Sequence, residues 1–145
     1  MENRVFVDTN IWIYGLTESD LDADKNKRAI SLNLFENLLA KGKSIYISVQ
    51  VINECHWNFI KKFKLPDELA GKLIQENVIP ISNIVSMNLS TYMMANNLRS
   101  KYNFSYWDSL IIASAIESGC EVLYTEDMQD GQVVEDSLRI VNPFK

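Results

Sequence analysis

Acidic side chains occur at four widely separated places in this sequence, each near the end of an apolar segment or the start of a predicted helix. They are Asp8, Glu54, Asp108 and the adjacent pair Glu126 and Asp127. Carboxylates that are brought together repel each other and raise each other's pKa unless a cation neutralises them. Hard divalent ions such as Mg²⁺ and Mn²⁺ prefer such oxygen ligands. A metal held in this way can bind a phosphate oxygen and activate water, so these residues suggest the hydrolysis of a phosphate ester.

The segments that must position these acids alternate between short apolar runs and helical patterns. We predict strands at residues 5–7, 45–47, 78–81, 122–124 and 138–141, and Pro80 suggests that 78–81 is an edge strand. Helical stretches separate the strands and no tight hairpin joins two of them, which predicts an α/β fold with a central parallel sheet of about five strands. Ligands of such sheets bind beyond the carboxyl ends of the strands. Three of the four acidic places lie there.

The helices between these strands are predicted from apolar spacing and from capping residues. They cover residues 11–15, 30–42, 48–63, 66–76, 84–100 and 105–118. The polar stretch 18–27, which contains Asp20, Asp22 and Asp24, is expected to be a solvated loop.

Each acid also has a purely structural explanation. Asp8 can cap the helix that follows it, and Asp108 forms a capping box with Ser105, three residues earlier. Glu54 lies at the margin of the apolar face of its helix, where boundary residues are common. Taken singly, none of these acids establishes a site, and the prediction rests on their shared position at the strand ends.

The composition is that of a soluble globular protein of ordinary size. The chain has 145 residues, of which 47% are hydrophobic and 23% charged, and its net charge is −5 with a pI near 4.9. This length favours one domain over residues 1–145. The acidic balance argues against a protein that grips nucleic acid through a broad basic surface. It does not exclude nucleic acid as a substrate, because carboxylates that bind a metal also lower the pI.

The cysteines and the histidine exclude two other kinds of site. Cys55 and Cys120 lie in apolar surroundings and are expected to be reduced core residues, as in cytosolic proteins. His56 is the only histidine, so zinc sites with several histidines are excluded. The sequence lacks a signal-peptide pattern before the first strand and any apolar run long enough to cross a bilayer. We therefore expect a cytoplasmic protein that makes no use of the membrane.

Four sequence blocks resemble those of the PIN-domain ribonucleases, and in particular of the VapC-like bacterial toxins. The blocks are residues 5–10 (VFVDTN), 48–54 (SVQVINE), 106–115 (YWDSLIIASA) and 123–128 (LYTEDM). They occur in the order and spacing of the family, and the resemblance covers nearly the whole chain. It implies a three-layer α/β/α sandwich around the parallel sheet.

The resemblance also implies roles for individual residues. It identifies Asp8, Glu54, Asp108 and Asp127 as the catalytic acids that bind Mg²⁺ or Mn²⁺. Three polar residues are implied as supports around these acids: Asn10, Thr125 and Glu126. Glu126 and Asp130 are close enough in sequence to replace or assist Asp127 as the fourth acid, and all three also suit a solvated turn.

Family members cleave single-stranded or loop RNA to leave a 5′-phosphate, are inhibited by a protein antitoxin and often form dimers. The resemblance thus implies an RNA substrate, an antitoxin and a homodimer. Two alternatives are a PIN-domain nuclease outside any toxin–antitoxin system and an inactive binding module with the same fold. A phosphatase of the haloacid-dehalogenase type is disfavoured, since its chemistry needs a second aspartate where this chain has Asn10.

Aromatic and basic residues near the acids are possible contacts for RNA. Trp12, Trp57 and Trp107 lie close in sequence to three of the acids, and we expect each to pack in the core, with base stacking as the alternative. Two basic clusters are expected to be solvated surface, with phosphate contact as the alternative. They are Lys61, Lys62 and Lys64 in one cluster and Arg99 and Lys101 in the other.

Overall fold

The computed structural model describes residues 3–19 and 21–145, so that Met1, Glu2 and Asp20 lie outside the described residues. The strands are β1 (Arg4–Val7), β2 (Ser44–Ser48), β3 (Ser82–Val85), β4 (Val122–Tyr124), β5 (Val133–Val134) and β6 (Leu138–Val141). The helices are α1 (Thr9–Leu16), α2 (Asp22–Ala40), α3 (Val49–Lys61), α4 (Asp67–Asn77), α5 (Leu89–Lys101) and α6 (Tyr106–Glu117). A short 3₁₀ turn, Ile79–Ile81, precedes β3.

The strands form one central sheet in the order β3-β2-β1-β4-β6-β5, and helices flank it. The pairs β3–β2, β2–β1, β1–β4 and β4–β6 are all parallel. The expected α/β fold with five parallel strands is therefore confirmed. Apolar runs such as Val5–Val7 and Val122–Tyr124 suit strands that are covered on both faces.

A hairpin at one edge of the sheet was not expected. β5 pairs antiparallel with β6, and the turn between them places Glu135 and Asp136 at φ near +51° and +53°. The prediction that no tight hairpin joins two strands is therefore wrong. The sequence did not reveal this hairpin because β5 has only two residues and its turn lacks the Asn-Gly or Asp-Gly signal. Lys101 at the end of α5 holds this turn through an ion pair of 2.9 Å with Glu135.

Two predicted boundaries on the other side of the sheet are also wrong. The predicted strand 78–81 is mainly the 3₁₀ turn that contains Pro80, and the edge strand β3 follows it at Ser82–Val85. The predicted helix 84–100 begins only at Leu89, where Asn88 and Thr91 form a reciprocal capping box. The end of β3 therefore occupies the first two positions, 84 and 85, that apolar spacing had assigned to the helix.

The predicted loop 18–27 is largely helix, because α2 already begins at Asp22. Asp22 and Asp24 lie in the first turn of α2, where negative charge interacts favourably with the helix dipole. Helix α1 includes Gly15 and does not end there. A Cβ at Gly15 would lie 3.7 Å from Leu32 and Phe35, an ordinary van der Waals distance, so this position of α1 faces α2 and has room for a small side chain.

The core lies between the sheet and the helices that flank it. Its largest fully buried side chains include Phe6, Trp12 and Phe59, and the indole N–H of Trp12 donates to the carbonyl oxygen of Val7 at 3.2 Å. Cys55 and Cys120 are buried free thiols, as predicted. No helix in the described part of the chain is long and apolar enough to span a bilayer.

Candidate active site

The order in which the strands are added to the sheet reverses at its centre, between the parallel strands β1 and β4. From β1 the chain continues to β2 and β3 on one side, whereas β4 lies on the other side of β1. Crevices at such switch points, outside the carboxyl ends of the strands, are where open α/β sheets bind ligands. Asp8 follows β1 and Thr125 follows β4. The main-chain N–H of Asp8 donates to the main-chain carbonyl oxygen of Tyr124, the last residue of β4, at 3.0 Å. The two residues therefore meet at the switch point.

Asp8 is a buried carboxylate held by two donors. One oxygen accepts from the main-chain N–H of Thr9 at 2.7 Å, which caps α1, and the other accepts from the hydroxyl of Thr125 at 2.8 Å. The pKa of Asp8 is raised to about 6, because burial and the negative charges of Glu54 and Asp127, with burial the largest cause, outweigh the two hydrogen bonds that lower it. Asp8 is therefore a helix cap, but its surroundings are those of a crowded acidic site.

Glu54 reaches the same place from α3. Its carboxylate accepts from the hydroxyl of Thr9 at 3.0 Å and from the side-chain amide of Gln50 at 2.7 Å. Burial is the largest cause of the raised pKa of Asp8, Asp108 and Asp127, and in all three the negative charge of Glu54 adds to it. Glu54 lines the same cleft as these three acids.

Asp108 and Asp127 complete the group from two further elements. Asp108 lies in the first turn of α6, and its main-chain N–H donates to the hydroxyl of Ser105 at 3.1 Å. Asp127 lies in the loop after β4 and accepts from the side-chain amide of Asn10 at 3.0 Å. After burial and the adjacent Glu126, the charge of Asp108 is the next cause that raises the pKa of Asp127. Asp108 and Asp127 also line the same cleft, which agrees with this effect.

A single cleft of about 110 Å³ is lined by the four acids. Its other walls are formed by Thr9, Asn10, Gln50, Asn58, Lys62, Trp107 and Ile111. Thr9 and Gln50, which hold Glu54, were not among the residues predicted for the site. Gln50 could have been found, because it precedes Glu54 by four residues on one helix face. The contact of Thr9 with Glu54 joins residues 45 positions apart, and no local pattern signals it.

Glu126 and Asp130 face away from this cleft. The carboxylate of Glu126 accepts from the hydroxyl of Tyr14 and from Lys27, both at 2.8 Å. That of Asp130 accepts from the main-chain N–H of Asn142 at 2.8 Å. Asp127 is thus the acid of this loop that lines the cleft, while Glu126 supports the loop by anchoring it to α1 and α2.

The predicted burial of the tryptophans is right for one and wrong for two. Trp12 is 1% exposed, but Trp57 and Trp107 are 60% and 63% exposed. The buried face of α3 is formed by Val51, Cys55 and Phe59. Trp57 lies two residues from Cys55 and from Phe59, a spacing that places it on nearly the opposite face of the helix. Trp107 lies in the first turn of α6, outside its buried segment.

The hydroxyl of Thr125 ties two acids together, because it donates to Asp8 and accepts from the main-chain N–H of Asp127 at 3.3 Å. We predict that Thr125→Val lowers the free energy of unfolding by about 1–3 kcal/mol, since a buried carboxylate loses a donor. Urea unfolding near neutral pH in EDTA measures this, and Thr125→Ser is the matched control that should recover most of the loss. Equal stability of Thr125→Val and the unchanged chain would contradict the prediction.

The donor chemistry of the cleft fits a hard divalent cation. Four carboxylates line it against one lysine, Lys62, and the side-chain oxygen of Gln50 beside Glu54 is buried without a hydrogen-bond partner in the described residues. As the side chains stand, no three Asp, Glu, His or Cys residues within 3–19 and 21–145 form a ready set of ligands. Hydrogen bonds from Thr9, Asn10 and Thr125 engage these carboxylates instead. Binding a cation would therefore exchange some of these bonds for metal contacts.

The chain is similar to known proteins both in family and in structure. Residues 5–129 match the PIN domain family. No curated protein sequence matches the chain. Among solved structures, FitAcB from Neisseria gonorrhoeae is similar with a TM-score of 0.69 and 13% identity, over 97% of this chain and 98% of that one.

Two further structures are similar to nearly the same extent. DNA-bound VapBC from Salmonella typhimurium has a TM-score of 0.65 and 16% identity, over 97% of both chains. VapC20 from Mycobacterium tuberculosis, described as a sarcin–ricin loop cleaving toxin, has a TM-score of 0.63 and 15% identity, over 85% of this chain and 89% of that one. The TM-scores of these three structures show a shared fold, and at such low sequence identities the similarity shows the fold alone. Because the family match spans most of the sequence and the fold agrees with it, the chain belongs to the PIN-domain family.

Proposed function

We propose that the chain is a metal-dependent endoribonuclease and the toxin of a VapBC-type toxin–antitoxin pair. The observation that carries the proposal is the cleft in which Asp8, Glu54, Asp108 and Asp127 meet from four separate elements. Membership of the PIN-domain family supports a nuclease. The description of the similar VapC20 as a toxin that cleaves the sarcin–ricin loop supports RNA as the substrate.

The acids of the cleft would hold one or more divalent ions, Mg²⁺ or Mn²⁺. Asp8, Asp108 and Asp127 are the proposed ligands, directly or through water, and Glu54 binds the ion or orients the attacking water. When bound, such an ion polarises a phosphate oxygen and lowers the pKa of water. Without it, three of these carboxylates have a raised pKa, which is the electrostatic strain that a cation would relieve.

The remaining residues of the cleft position the acids and the substrate. Thr125 and Asn10 hold Asp8 and Asp127 through the hydrogen bonds described above, and Thr9 and Gln50 hold Glu54. Lys62 is the basic side chain that lines the cleft, and it is placed to attract a phosphate. Such fixed partners reduce the reorganisation that the acids need during the reaction.

The proposed reaction is the addition of water to phosphorus with departure of the 3′ oxygen. The bond from the water oxygen to phosphorus forms, the bond from phosphorus to O3′ breaks, and the water proton passes to a carboxylate such as Glu54. O3′ takes a proton from solvent, so that the products carry a 5′-phosphate and a 3′-hydroxyl. No histidine is needed for these transfers, and His56 instead pairs with Asp67 at 2.7 Å.

The proposed partners are an antitoxin and a second copy of the chain. One of the similar structures is a toxin–antitoxin complex from Klebsiella pneumoniae, and two others are DNA-bound VapBC assemblies. The similarity of fold supports an antitoxin as a partner, and we propose that it covers the acidic cleft of this chain. The homodimer is proposed with it, on the same resemblance, and the cytoplasmic location is proposed from the two buried free cysteines.

Cleavage of RNA by the purified chain is the direct test. We expect a 3′-labelled single-stranded RNA to be cut in Mg²⁺ or Mn²⁺, with a 5′-phosphate on each labelled downstream product, and to remain intact in EDTA. Restoring Mg²⁺ after EDTA should restore cleavage, which separates loss of metal from loss of fold. Cleavage that persists in EDTA would refute a metal-dependent mechanism.

A further inference from the structure

A second, larger cavity of about 780 Å³ lies directly beside the acidic cleft. Its walls come from α3, from the start of α6 and from the segment between β3 and α5, where Met87 lines it. Four residues line both the cavity and the cleft: Gln50, Glu54, Asn58 and Trp107. A ligand whose phosphate lies in the cleft can therefore extend into the cavity without a break.

The two exposed tryptophans, Trp57 and Trp107, line this cavity. The indole of Trp107 meets Tyr106 in a perpendicular contact, at 5.1 Å and 87°, which covers at most one face of the indole. Lys61 Nζ lies 5.4 Å from the ring centroid of Trp57. Two large aromatic surfaces are thus left accessible to a ligand beside the acids, although burial would stabilise them.

The chemistry of the walls favours a nucleobase over a phosphate. No Lys or Arg of the described chain lines the cavity, whereas Lys62 lines the acidic cleft. Amide groups of Asn53 and Asn58 accompany the aromatic rings. Asn58 donates to the main-chain oxygen of Glu54 at 2.8 Å, which leaves its own carbonyl group as an acceptor. Aromatic faces with amide edges are the means by which proteins bind unpaired bases.

We propose that this cavity binds an unpaired nucleobase of RNA next to the phosphate that is cleaved, with the base stacked on Trp107 and enclosed by Trp57. The identity of the ligand rests on the proposed function. A base inside a duplex has both faces covered by its neighbours and cannot enter the cavity. The cavity would therefore select RNA that is single-stranded at the cleavage site.

The test measures binding without cleavage, in an Asp8→Asn background with Mg²⁺ present. Fluorescence anisotropy of a labelled single-stranded RNA dodecamer gives the Kd. We expect Trp107→Ala to raise the Kd about tenfold and Trp57→Ala to raise it less, while Trp107→Phe retains most of the affinity. Tyr92→Ala, which removes an exposed aromatic ring of α5 outside the cavity, is the matched control and should bind normally.

An abasic oligonucleotide of the same length identifies the contact that is lost. Its affinity should be the same for Trp107→Ala and its parent, since there is no base to stack. The proposal is overturned if Trp107→Ala and Trp57→Ala bind the RNA as tightly as their parent. It is also overturned if Trp107→Ala loses as much affinity for the abasic strand as it loses for the RNA. If both changes instead weaken self-association in sedimentation without changing RNA affinity, the cavity is an interface between copies and the proposal is wrong.

The binding test and the cleavage test fail independently of each other. If the unchanged chain cuts no RNA but binding still depends on Trp107, the nuclease proposal fails and the base-binding cavity remains. If the chain cuts RNA and neither tryptophan affects affinity, the nuclease proposal remains and the cavity has another role.

Discussion

Replacing Asp8 by asparagine is expected to abolish RNA cleavage, on the order of 10³-fold, while the chain stays folded. Asparagine has nearly the same shape and is as good a helix cap as aspartate, so α1 should still begin after residue 8. It lacks the negative charge and one acceptor oxygen that a divalent ion needs. The substitution therefore separates the two roles that Asp8 has in the structure, as cap of α1 and as member of the acidic cleft.

The stability of the Asp8→Asn chain should not fall in the absence of metal. Burial raises the pKa of Asp8 from 3.8 to about 6, which means that ionising this group near neutral pH opposes folding by up to about 3 kcal/mol. Asparagine removes this charge, although the hydroxyl of Thr125 then loses its acceptor. We expect equal or higher stability in urea unfolding at about pH 7 in EDTA, together with the loss of cleavage in Mg²⁺.

A cap at a different helix provides the control. Asn88→Ala removes the capping box of α5, away from the cleft, and should lower stability by about 1 kcal/mol without slowing cleavage. If Asp8→Asn cuts RNA as fast as the unchanged chain, Asp8 is only a helix cap and the catalytic assignment is wrong.

The sequence predicted the centre of the fold better than its edges. The strands β1, β2, β4 and β6 are covered by other elements, so their apolar residues stand out from the helices between them. The edge strands were missed or displaced, because β3 is partly exposed and β5 has only two residues. Helix α2 begins in a polar stretch whose acids interact with the helix dipole, and such a stretch also resembles a loop.

The acids of the site could be predicted and most of their partners could not. Asp8 and Asp127 follow apolar strands whose carboxyl ends must share one edge of a parallel sheet, so position alone suggests that they meet. The contacts of Thr9 with Glu54 and of Asn10 with Asp127 join residues that are 45 and 117 positions apart. They depend on how α1 packs on α3 and beside the loop after β4, which local sequence does not encode.

The metal-free chain should become less stable as the pH rises through the range in which its acids ionise. The pKa of Asp8 is about 6 in the folded chain, against 3.8 for an unperturbed aspartate side chain, and burial shifts the pKa of Asp108 and Asp127 in the same direction. For a carboxyl group with a raised pKa, the folded state binds more protons than the unfolded state between these values. Its stabilising contribution is complete below about pH 3.8 and is lost as the pH rises through about 6.

Divalent cations should reverse this loss. At a concentration of Mg²⁺ or Mn²⁺ about 100 times the Kd, binding adds about 2.7 kcal/mol to the stability of the folded chain. For a domain of this size we expect the Tm to rise by about 5–10 °C. The rise should be larger at about pH 7.5 than at about pH 5, because protonated carboxylates must release protons before they bind a metal.

Thermal unfolding followed by circular dichroism, with EDTA, Mg²⁺ or Mn²⁺ at both pH values, measures this linkage. The Asp8→Asn chain should lose most of the metal-dependent rise, whereas Asp67→Asn, which changes an exposed carboxylate on α4, should keep it. An equal rise in the unchanged chain and in Asp8→Asn would place the bound ion outside the cleft. The ion is assigned to the site where β1 and β4 meet if metal raises the Tm of Asp67→Asn as much as that of the unchanged chain and does not raise the Tm of Asp8→Asn. Only that site contains Asp8.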